Sequence, residues 1–231
     1  MKISVCMATF NGENYIKEQL DSILFQLNDE DEIVVSDDGS RDRTINILNS
    51  FHDRRIKIVV NRGRHGVVPN FENALNQSSG DYIFLSDQDD IWREDKVDKC
   101  VEALNDADLV VHNSRVMFEG GQSPDRDFFQ WRHSGPGYWK NLYKNTFVGS
   151  CMAFRKEVKN YVLPFPKHIL WHDMWIGLMV EKHGATNFIN DQLLYYRRHD
   201  INASTTGEAS RFSKWIQLKY RAQMFYYTMI R

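Results

Sequence analysis

The stretch that decides the fold of this chain is YIFLSDQDDIW, at residues 82–92. Its first four residues form an apolar run that is typical of a buried strand. The aspartates that follow, Asp87, Asp89 and Asp90, repel one another unless a cation is shared between them. Hard oxygen ligands suit Mg²⁺ or Mn²⁺. The stretch therefore predicts a strand that ends in a divalent-cation site, with a solvated acidic turn or a helix N-cap as the alternative.

Short apolar runs and helical patterns alternate on both sides of this stretch. Strands are predicted at residues 3–7, 32–36, 56–60 and 82–85, with a further strand beginning at 109–111. Between them, apolar residues recur at helical spacing. This order predicts an α/β fold with a mainly parallel, Rossmann-like central sheet and helices on both faces.

Polar clusters follow three of the predicted strands: TFNG at 9–12, DDGS at 37–40 and DQDD at 87–90. Ligands of such sheets bind outside the carboxyl ends of the strands, so the clusters are expected on one rim. DDGS is also typical of a plain turn, and Ser40 is predicted to cap the next helix. A carboxylate in this turn could instead accept hydrogen bonds from a base N–H or a ribose hydroxyl.

The second half of the chain is less regular. Residues 119–146 are rich in glycine, proline and aromatic side chains, which predicts an irregular segment that shapes a binding groove. Strands are predicted at 147–154 and 187–196, and a helix at 173–182. The tail from Arg211 is predicted to form an amphipathic helix.

Two further residues are candidates for chemistry. Asp173 lies in WHDMW, and desolvation between two tryptophans would raise its pKa and make it a better base. The alternative for Asp173 is a helix N-cap. His199 follows two arginines in YRRH, which indicates a metal ligand or a phosphate contact. A structural histidine is the alternative there.

The bulk composition excludes several classes of protein. The chain has 231 residues and a formal net charge of -2, which gives no reason to expect nucleic-acid binding. Cys6, Cys100 and Cys151 form no CxxC pair, so neither a disulfide framework nor a zinc ribbon is predicted. No signal peptide and no run of about 18 apolar residues is found. The sequence predicts a cytoplasmic protein that is not integral to a membrane.

The end of the chain is locally basic, because no acidic residue follows Glu208. Aromatic and apolar side chains lie beside these basic residues. The pattern predicts that the tail lies on the anionic inner face of the plasma membrane, where lipid-linked acceptors are found, or packs on the domain or on another copy of the chain. The chain ends at Ile230-Arg231 without a helix stop, which is typical of a truncated sequence.

The ordered motifs resemble a known family. ATFNG at 8–12, VSDDGS at 35–40, the stretch 61–73, GDYIFLSDQDDIW at 80–92 and YRRH at 196–199 come in the order found in family 2 glycosyltransferases. The resemblance covers roughly the first 200 residues and implies the GT-A fold. The motif SDQDDIW resembles the one in the bacterial polysaccharide branch of this family, whose members are often labelled rhamnosyltransferase.

The resemblance implies an activity. The chain would move a sugar, with inversion, from a nucleoside-diphosphate donor to a hydroxyl of a growing cell-surface polysaccharide. The donor would be dTDP-rhamnose or a UDP-sugar, and the acceptor a saccharide that can be lipid-linked. Residues 1–115 would form the nucleotide-sugar half, 116–205 the acceptor and catalytic-base half, and 206–231 a C-terminal helix facing a membrane or another subunit.

The resemblance also implies roles for single residues. Asp173 would be the catalytic base, although the usual acidic pair reads His172-Asp173 here. Asp89 and His199 would bind Mn²⁺ or Mg²⁺, and Arg198 would face the diphosphate. The residues expected to hold the nucleotide are Thr9, Asn11, Glu13, Asp37, Asp38 and Asp87, the last being the first aspartate of the DxD motif.

Three other functions are alternatives for this chain. Phosphatases of the haloacid-dehalogenase type carry a DxD after their first strand, where this chain has Thr9. A sugar nucleotidyltransferase would need a glycine-rich loop with a basic residue at the same place. A non-catalytic nucleotide-sugar or carbohydrate-binding module fits the aromatic segment 128–139, which would suit sugar stacking. Intact Asp89 and Asp173 favour an enzyme.

Overall fold

A computed structural model describes residues 1–119, 125–199 and 213–231 of the chain. Part of the segment predicted to be irregular, and the beginning of the tail at Arg211, lie outside the described residues.

Parallel strands form the first half of the central sheet, and they are those predicted. Their order across the sheet is β3, β2, β1, β4, and every neighbouring pair is parallel. Each apolar run is long enough for one buried strand, and an intervening helix returns the chain to the same edge. The strands are β1 (Ile3–Thr9), β2 (Glu32–Asp37), β3 (Ile56–Val60) and β4 (Tyr82–Asp87).

A mixed half extends this parallel core. Beyond β4 the sheet continues through β8, β6, β9 and β5, and β6 and β9 are parallel while the other contacts are antiparallel. Helices cover both faces, so the predicted α/β fold is confirmed. The additional strands are β5 (Ile91–Trp92), β6 (Leu109–Phe118), β7 (Arg126–Asp127), which pairs with β6, β8 (Met152–Arg155) and β9 (Thr186–Arg198).

The helices pack through apolar stripes. In α1 the residues Ile16, Leu20 and Ile23 recur at helical spacing and are fully buried. The helices of the described chain are α1 (Ile16–Leu24), α2 (Thr44–Ser50), α3 (Val67–Gln77), α4 (Lys96–Ala103), α5 (Phe128–Arg132), α6 (Tyr138–Tyr143), α7 (Lys159–Val162), α8 (His172–His183) and α9 (Lys214–Ile230). Within the described ranges, no helix is long and apolar enough to cross a membrane.

Three local predictions were wrong. Ser40 does not cap α2, which begins at Thr44, because its hydroxyl donates to Asp37 instead. The strand predicted at 147–154 is shorter, since a 3₁₀ turn at Gly149–Cys151 precedes β8. The described part of the irregular segment contains β7, α5 and α6, and its Phe128 is only 1% exposed because it packs in the core.

The C-terminal helices lie beside the second half of the sheet. The α8 helix is buried on all sides from Met174 to Val180, which explains its uniformly apolar sequence. The α9 helix packs against α8 through contacts at both ends of α8. Lys182, near the end of α8, donates to the carbonyl of Thr228, while Trp171, just before α8, meets the ring of Tyr220 edge-on.

Candidate active site

The carboxyl ends of three neighbouring strands form one level rim. Thr9 of β1 pairs with Asp37 of β2, and Ala8 pairs with Asp87 of β4. The polar clusters that follow these strands therefore meet, as the sequence predicts. Because β1 lies between β2 and β4, the rim has the crevice in which open α/β sheets bind ligands.

Gln88 fastens the loop after β1 to the acidic segment. Its Oε1 accepts hydrogen bonds from Thr9 Oγ1 at 2.6 Å and Phe10 N at 2.9 Å, and its Nε2 donates to Phe10 O at 3.1 Å. A Cβ on Gly12 would come within 2.4 Å of Gln88 Oε1, so any larger residue there would displace the Gln88 side chain from these hydrogen bonds. Thr9 is thereby buried, with its hydroxyl committed to Gln88.

The loops after β1 and β2 are also fastened together. Asn11 donates its N–H to Ser40 Oγ and accepts from Arg41 N, both at 2.9 Å. Its φ of 49° lies in the left-handed region that asparagine tolerates. Glu13 accepts from Arg43 N at 2.9 Å and Arg43 Nε at 3.2 Å. Asn11 and Glu13 therefore shape the loop edge where the nucleotide is predicted.

Asp37 organises its own turn. Its Oδ2 accepts from Gly39 N at 3.0 Å and Ser40 N at 2.9 Å, and its Oδ1 accepts from Ser40 Oγ. These are the bonds of a turn, as the alternative interpretation of DDGS requires. A carboxylate offers about four acceptor positions, so about one remains for a ligand.

Asp38 joins the same turn to the loop after β3. Its carboxylate accepts from Asn61 Nδ2 at 2.7 Å, from the His65 ring at 3.0 Å and from Gly66 N at 2.7 Å. The stretch 61–73 therefore contributes to the rim through Asp38. The nucleotide-binding roles of both aspartates stay predictions, because each also has a clear structural task.

Asp87 and Asp173 lie close together although 86 positions separate them in the sequence. Burial, together with the nearby carboxylates of Asp89 and Asp173, raises the pKa of Asp87 to about 7 against the opposing charge of Lys96. The same rim thus gathers carboxylates from β4 and from the start of α8.

The two predicted metal ligands face each other. His199 Nε2 lies 2.9 Å from Asp89 Oδ2. The imidazole stacks on Tyr15 with ring centres 4.6 Å apart. Arg197 contacts both sides of this pair. Its Nε donates to the Asp89 carbonyl at 3.0 Å, and its guanidinium lies 5.1 Å from the centre of the Tyr15 ring that stacks on His199.

This pair fits a hard divalent cation. The 2.9 Å between His199 Nε2 and Asp89 Oδ2 is a hydrogen bond, and neighbouring ligands of an octahedral metal at about 2.1 Å are about 3 Å apart, so a cation could take the place of that hydrogen bond without a large movement of either side chain. Among the described residues, no group of three or more His, Cys, Asp and Glu side chains is arranged to hold a metal. A site of two protein ligands suits Mg²⁺ or Mn²⁺, which commonly take their other ligands from substrate phosphates and water.

Asp173 is the second residue of α8 and lies half-buried at the rim. Burial raises its pKa to about 7, although hydrogen bonds from the backbone N–H of Met174 and from Asn145 act in the opposite direction. The N-cap of α8 is Trp171 and no side chain caps the helix, so the capping interpretation of Asp173 is wrong. The surroundings produce the desolvated carboxylate that the sequence predicts for a base.

Arg197 contacts the acidic segment, because its Nε donates to the Asp89 carbonyl at 3.0 Å. Successive residues of a strand point to opposite sides, so its guanidinium group and that of Arg198 leave β9 in different directions. The predicted contact of Arg198 with a diphosphate stays a prediction. Asp90 differs from Asp87 and Asp89 in being almost fully buried. It is 1% exposed and accepts a hydrogen bond from Arg197 N at 3.0 Å.

Sequence reasoning missed several residues of this site. Gln88 stands between the aspartates, and this position was the one available signal for it. Tyr15 was assigned only to the apolar pattern of α1, yet it supports His199. Arg197 and Asn145 gave no signal of their contacts, because each partner lies far away in the sequence.

Comparison with known proteins agrees with this geometry. The family described as Glycosyl transferase family 2 matches residues 4–163. The dTDP-rhamnosyl transferase RfbG of Shigella flexneri is 29% identical over 214 residues, covering 85% of this chain and 72% of that protein.

Two solved structures have the same fold. S. aureus TarS 1-349 in complex with UDP-GlcNAc has a TM-score of 0.73 at 19% identity, covering 97% of this chain and 66% of that one. The mannosyltransferase PcManGT of Pyrobaculum calidifontis, in complex with GDP-Man and Mn²⁺, has a TM-score of 0.67 at 18% identity, covering 99% and 64%. The chain thus spans about two thirds of either structure. Since the family match covers more than half of its residues, the chain belongs to glycosyl transferase family 2.

Proposed function

We propose that this glycosyltransferase moves a sugar, with inversion, from a nucleoside-diphosphate donor to a hydroxyl of a growing cell-surface polysaccharide. The observation that carries the proposal is the meeting of Asp89, His199 and Asp173 at one rim. A cation-binding pair and a desolvated base are the two parts that such a transfer needs. The similarity to RfbG favours dTDP-rhamnose as the donor, with a UDP-sugar as the alternative.

The donor half comprises residues 1–115. The loops after β1, β2 and β3 are fastened by their own hydrogen bonds, so they present a preformed edge to a nucleoside. Asp37 and Asp38 each keep about one acceptor position, enough to receive a base N–H or a ribose hydroxyl. Thr9, Asn11 and Glu13 shape this edge, and Asp87 lies between it and the reacting centre.

The diphosphate would lie against Asp89 and His199, with Arg198 as a further contact. A Mn²⁺ or Mg²⁺ ion held by these two ligands would neutralise the charge that grows on the leaving diphosphate. Arg197 and Tyr15 keep the two ligands in place by a hydrogen bond and a ring stack. The mannosyltransferase PcManGT, which has the same fold, binds GDP-Man and Mn²⁺.

Asp173 acts as the base in this proposal. Its half-buried carboxylate has a pKa of about 7, so it can take a proton from an acceptor hydroxyl near neutral pH. Attack of that hydroxyl on the face opposite the leaving diphosphate inverts the anomeric carbon in one displacement. No second nucleophile is required, and residues 116–205 supply the acceptor side.

The α9 helix would bring the enzyme to an anionic membrane that carries a lipid-linked acceptor. Its first half is exposed, with Trp215 at 82% and Leu218 at 55%. Exposed tryptophan beside lysine and arginine is typical of helices that lie in a membrane interface. The ring contact of Tyr220 with Trp171 places this half of α9 near the start of α8, where Asp173 lies.

The transfer is tested with a panel of nucleotide sugars, including dTDP-rhamnose and UDP-sugars, by measuring nucleoside diphosphate release with Mn²⁺. We expect release with one donor, its loss on chelation and its recovery when Mn²⁺ is added back. Asp173→Asn should still bind the nucleotide. Binding of a donor without any turnover, in the presence of candidate acceptors, would favour the non-catalytic module instead.

The membrane contact is tested by sedimentation with phosphatidylglycerol vesicles and with phosphatidylcholine vesicles. We expect binding to the anionic vesicles only, weakened by salt and by Trp215→Ala. A stable dimer in the absence of lipid, lost in the same variant, would assign the surface to a second copy of the chain.

A further inference from the structure

Three consecutive residues of α3, Asn70, Phe71 and Glu72, reach three different parts of the active site. Asn70 is buried, and its Nδ2 donates to the Thr9 carbonyl at 3.1 Å while its Oδ1 accepts from Ser36 Oγ at 2.6 Å. These bonds fasten α3 to the ends of β1 and β2, on the donor side. None of the roles assigned above uses these three side chains.

Glu72 contacts the segment that leads into α8. Its Oε1 accepts a hydrogen bond from the N–H of Phe165 at 2.7 Å, and Phe165 is itself buried. Arg64, in the loop after β3, reaches the same segment, because its Nη1 donates to the Lys167 carbonyl at 2.8 Å. The segment before α8 is therefore held to the donor half at two points.

Phe71 contacts the start of α8 itself. Its buried ring stacks on that of His172, with the ring centres 4.1 Å apart and the planes at 25°. His172 also lies against Gly149, where a Cβ would come within 2.6 Å of Nε2. Gly149 begins the 3₁₀ turn before β8, and β8 pairs with the acidic strand β4. The imidazole thus contacts both α3 and the neighbourhood of β4.

The contribution of His172 comes from its ring rather than from proton transfer. Its Nε2 is buried and has no hydrogen-bond partner among the described residues. Burial lowers the pKa of His172 to about 3, so the ring is neutral near pH 7. A neutral ring whose Nε2 is closed to solvent acts through its shape and its contacts.

These contacts matter because α8 begins without a capping side chain. Its N-cap residue, Trp171, makes no side-chain capping bond, and Asp173 Oδ1 accepts from the N–H of its neighbour Met174 at 2.6 Å. Helix ends that lack capping partners fray. The stack on Phe71 supplies a tertiary contact at the residue directly before Asp173, where the helix would otherwise open.

We infer that His172 is a positioning residue, whose stack on Phe71 holds the start of α8, and with it Asp173, against the donor rim. Because Asn70 adjoins Phe71 and is bonded to β1 and β2, the stack connects the proposed base to the strands beneath the nucleotide. The order of the helix start depends only on the fold. Its consequence for turnover rests on the proposed function, so the two are tested separately.

The order of the helix start is tested by hydrogen exchange of the full chain, read by mass spectrometry, in His172→Asn. Asparagine keeps a polar group but has no ring to stack. We expect amides at the start of α8 to exchange about tenfold faster than in the unmodified protein, and those at its end to change less. Exchange that is unchanged at the start of α8 would overturn the inference.

The control is Val180→Ala, which truncates a buried side chain near the end of the same helix. It should speed exchange no more at the start of α8 than elsewhere in the helix. If His172→Asn is insoluble, Phe71→Leu removes the stack from the other partner and takes its place. Full protection of the helix start in Phe71→Leu would then contradict the inference.

The positioning role is tested by comparing kcat and the donor KM of His172→Asn and His172→Phe. Phenylalanine keeps a planar ring and lacks both nitrogens. We expect kcat per folded molecule to fall about tenfold to a hundredfold in His172→Asn, as for a small misplacement of reacting groups, and to recover in His172→Phe. The donor KM should stay within about twofold, because the nucleotide loops are untouched. Val180→Ala should keep its kcat.

A higher kcat in His172→Asn than in His172→Phe would assign His172 a hydrogen bond and overturn the stack as the cause. Equal kcat values in these variants and in Val180→Ala would reduce His172 to a structural residue. Absence of turnover in the unmodified protein would refute the proposed function instead, and hydrogen exchange would still decide the order of the helix start.

Discussion

Replacing Asp173 by asparagine should abolish transfer and at the same time stabilise the protein. The carboxylate lies half-buried at the rim, near the carboxylate of Asp87. Desolvating the carboxylate makes it a stronger base, but it also lowers the free energy of unfolding. Asparagine has nearly the same shape but no charge to desolvate, so the cost should disappear together with the base.

The size of the effect follows from the pKa of Asp173, which rises from 3.8 to about 7. Each unit of this rise in pKa corresponds to about 1.4 kcal/mol. The gain in the free energy of unfolding on replacing Asp173 by asparagine therefore has an upper limit of about 4 kcal/mol. Solvent reaches part of the carboxylate and screens its charge, so we expect a measured difference of about 1 to 2 kcal/mol.

The sign of the pH dependence is fixed by linkage. Between about pH 4 and about pH 7 the unfolded chain has lost the Asp173 proton while the folded protein keeps it, so the native protein loses stability as pH rises. Above about pH 7 both states are ionised and the difference is constant. Asp173→Asn lacks this contribution, so its advantage should grow with pH.

The assay is urea unfolding of both proteins at about pH 5 and about pH 8, where linkage predicts the larger advantage at the higher pH. Asp29→Asn is the control, because Asp29 is 84% exposed and should show no such trend. An advantage that does not change with pH would refute the desolvated carboxylate. Unchanged turnover in Asp173→Asn would remove this residue from the mechanism.

Further predictions concern the rate, the cation and the donor loop. The kcat of the unmodified enzyme should rise with pH through about 7, as its base loses a proton, and a flat profile from stopped assays would contradict this. His199→Ala should weaken Mn²⁺ binding by about tenfold or more in calorimetry, because one of two protein ligands is lost, whereas exposed His168→Ala should not. Gly12→Ala should weaken nucleotide binding in titrations, because its Cβ would lie 2.4 Å from Gln88 Oε1. Gly63→Ala is the matched control, since the nearest atom there is 3.5 Å away; equal losses in both variants would contradict the role of the fastened loop.

Local patterns were sufficient for the parallel half of the sheet. The strand β3 begins and ends at the residues predicted, and β1, β2 and β4 run only one or two residues further than predicted. Apolar runs separated by helical patterns leave few ways to connect neighbouring parallel strands. The shared rim of the three polar clusters follows from the same rule.

Local patterns failed where burial decides the structure. The aromatic side chains of the segment 125–146 were predicted to shape a groove, but Phe128 packs against Trp131 and Tyr196 instead. Its place in the core depends on β6 and β9, which come from other parts of the sequence. Ser40 likewise found a partner in Asp37 and left the helix start uncapped.

The sequence by itself determined the chemistry of this protein: an acidic strand end, a second aspartate between tryptophans and a histidine after two arginines. The tertiary structure decided which of these groups meet. His199 reaches Asp89 across 110 positions because β9 pairs with β5, directly after the acidic segment. The ring of Phe71 meets that of His172 only because the start of α8 returns to the rim beside α3. Such meetings depend on the order of strands in the mixed half of the sheet, and periodicity along one segment carries no information about that order.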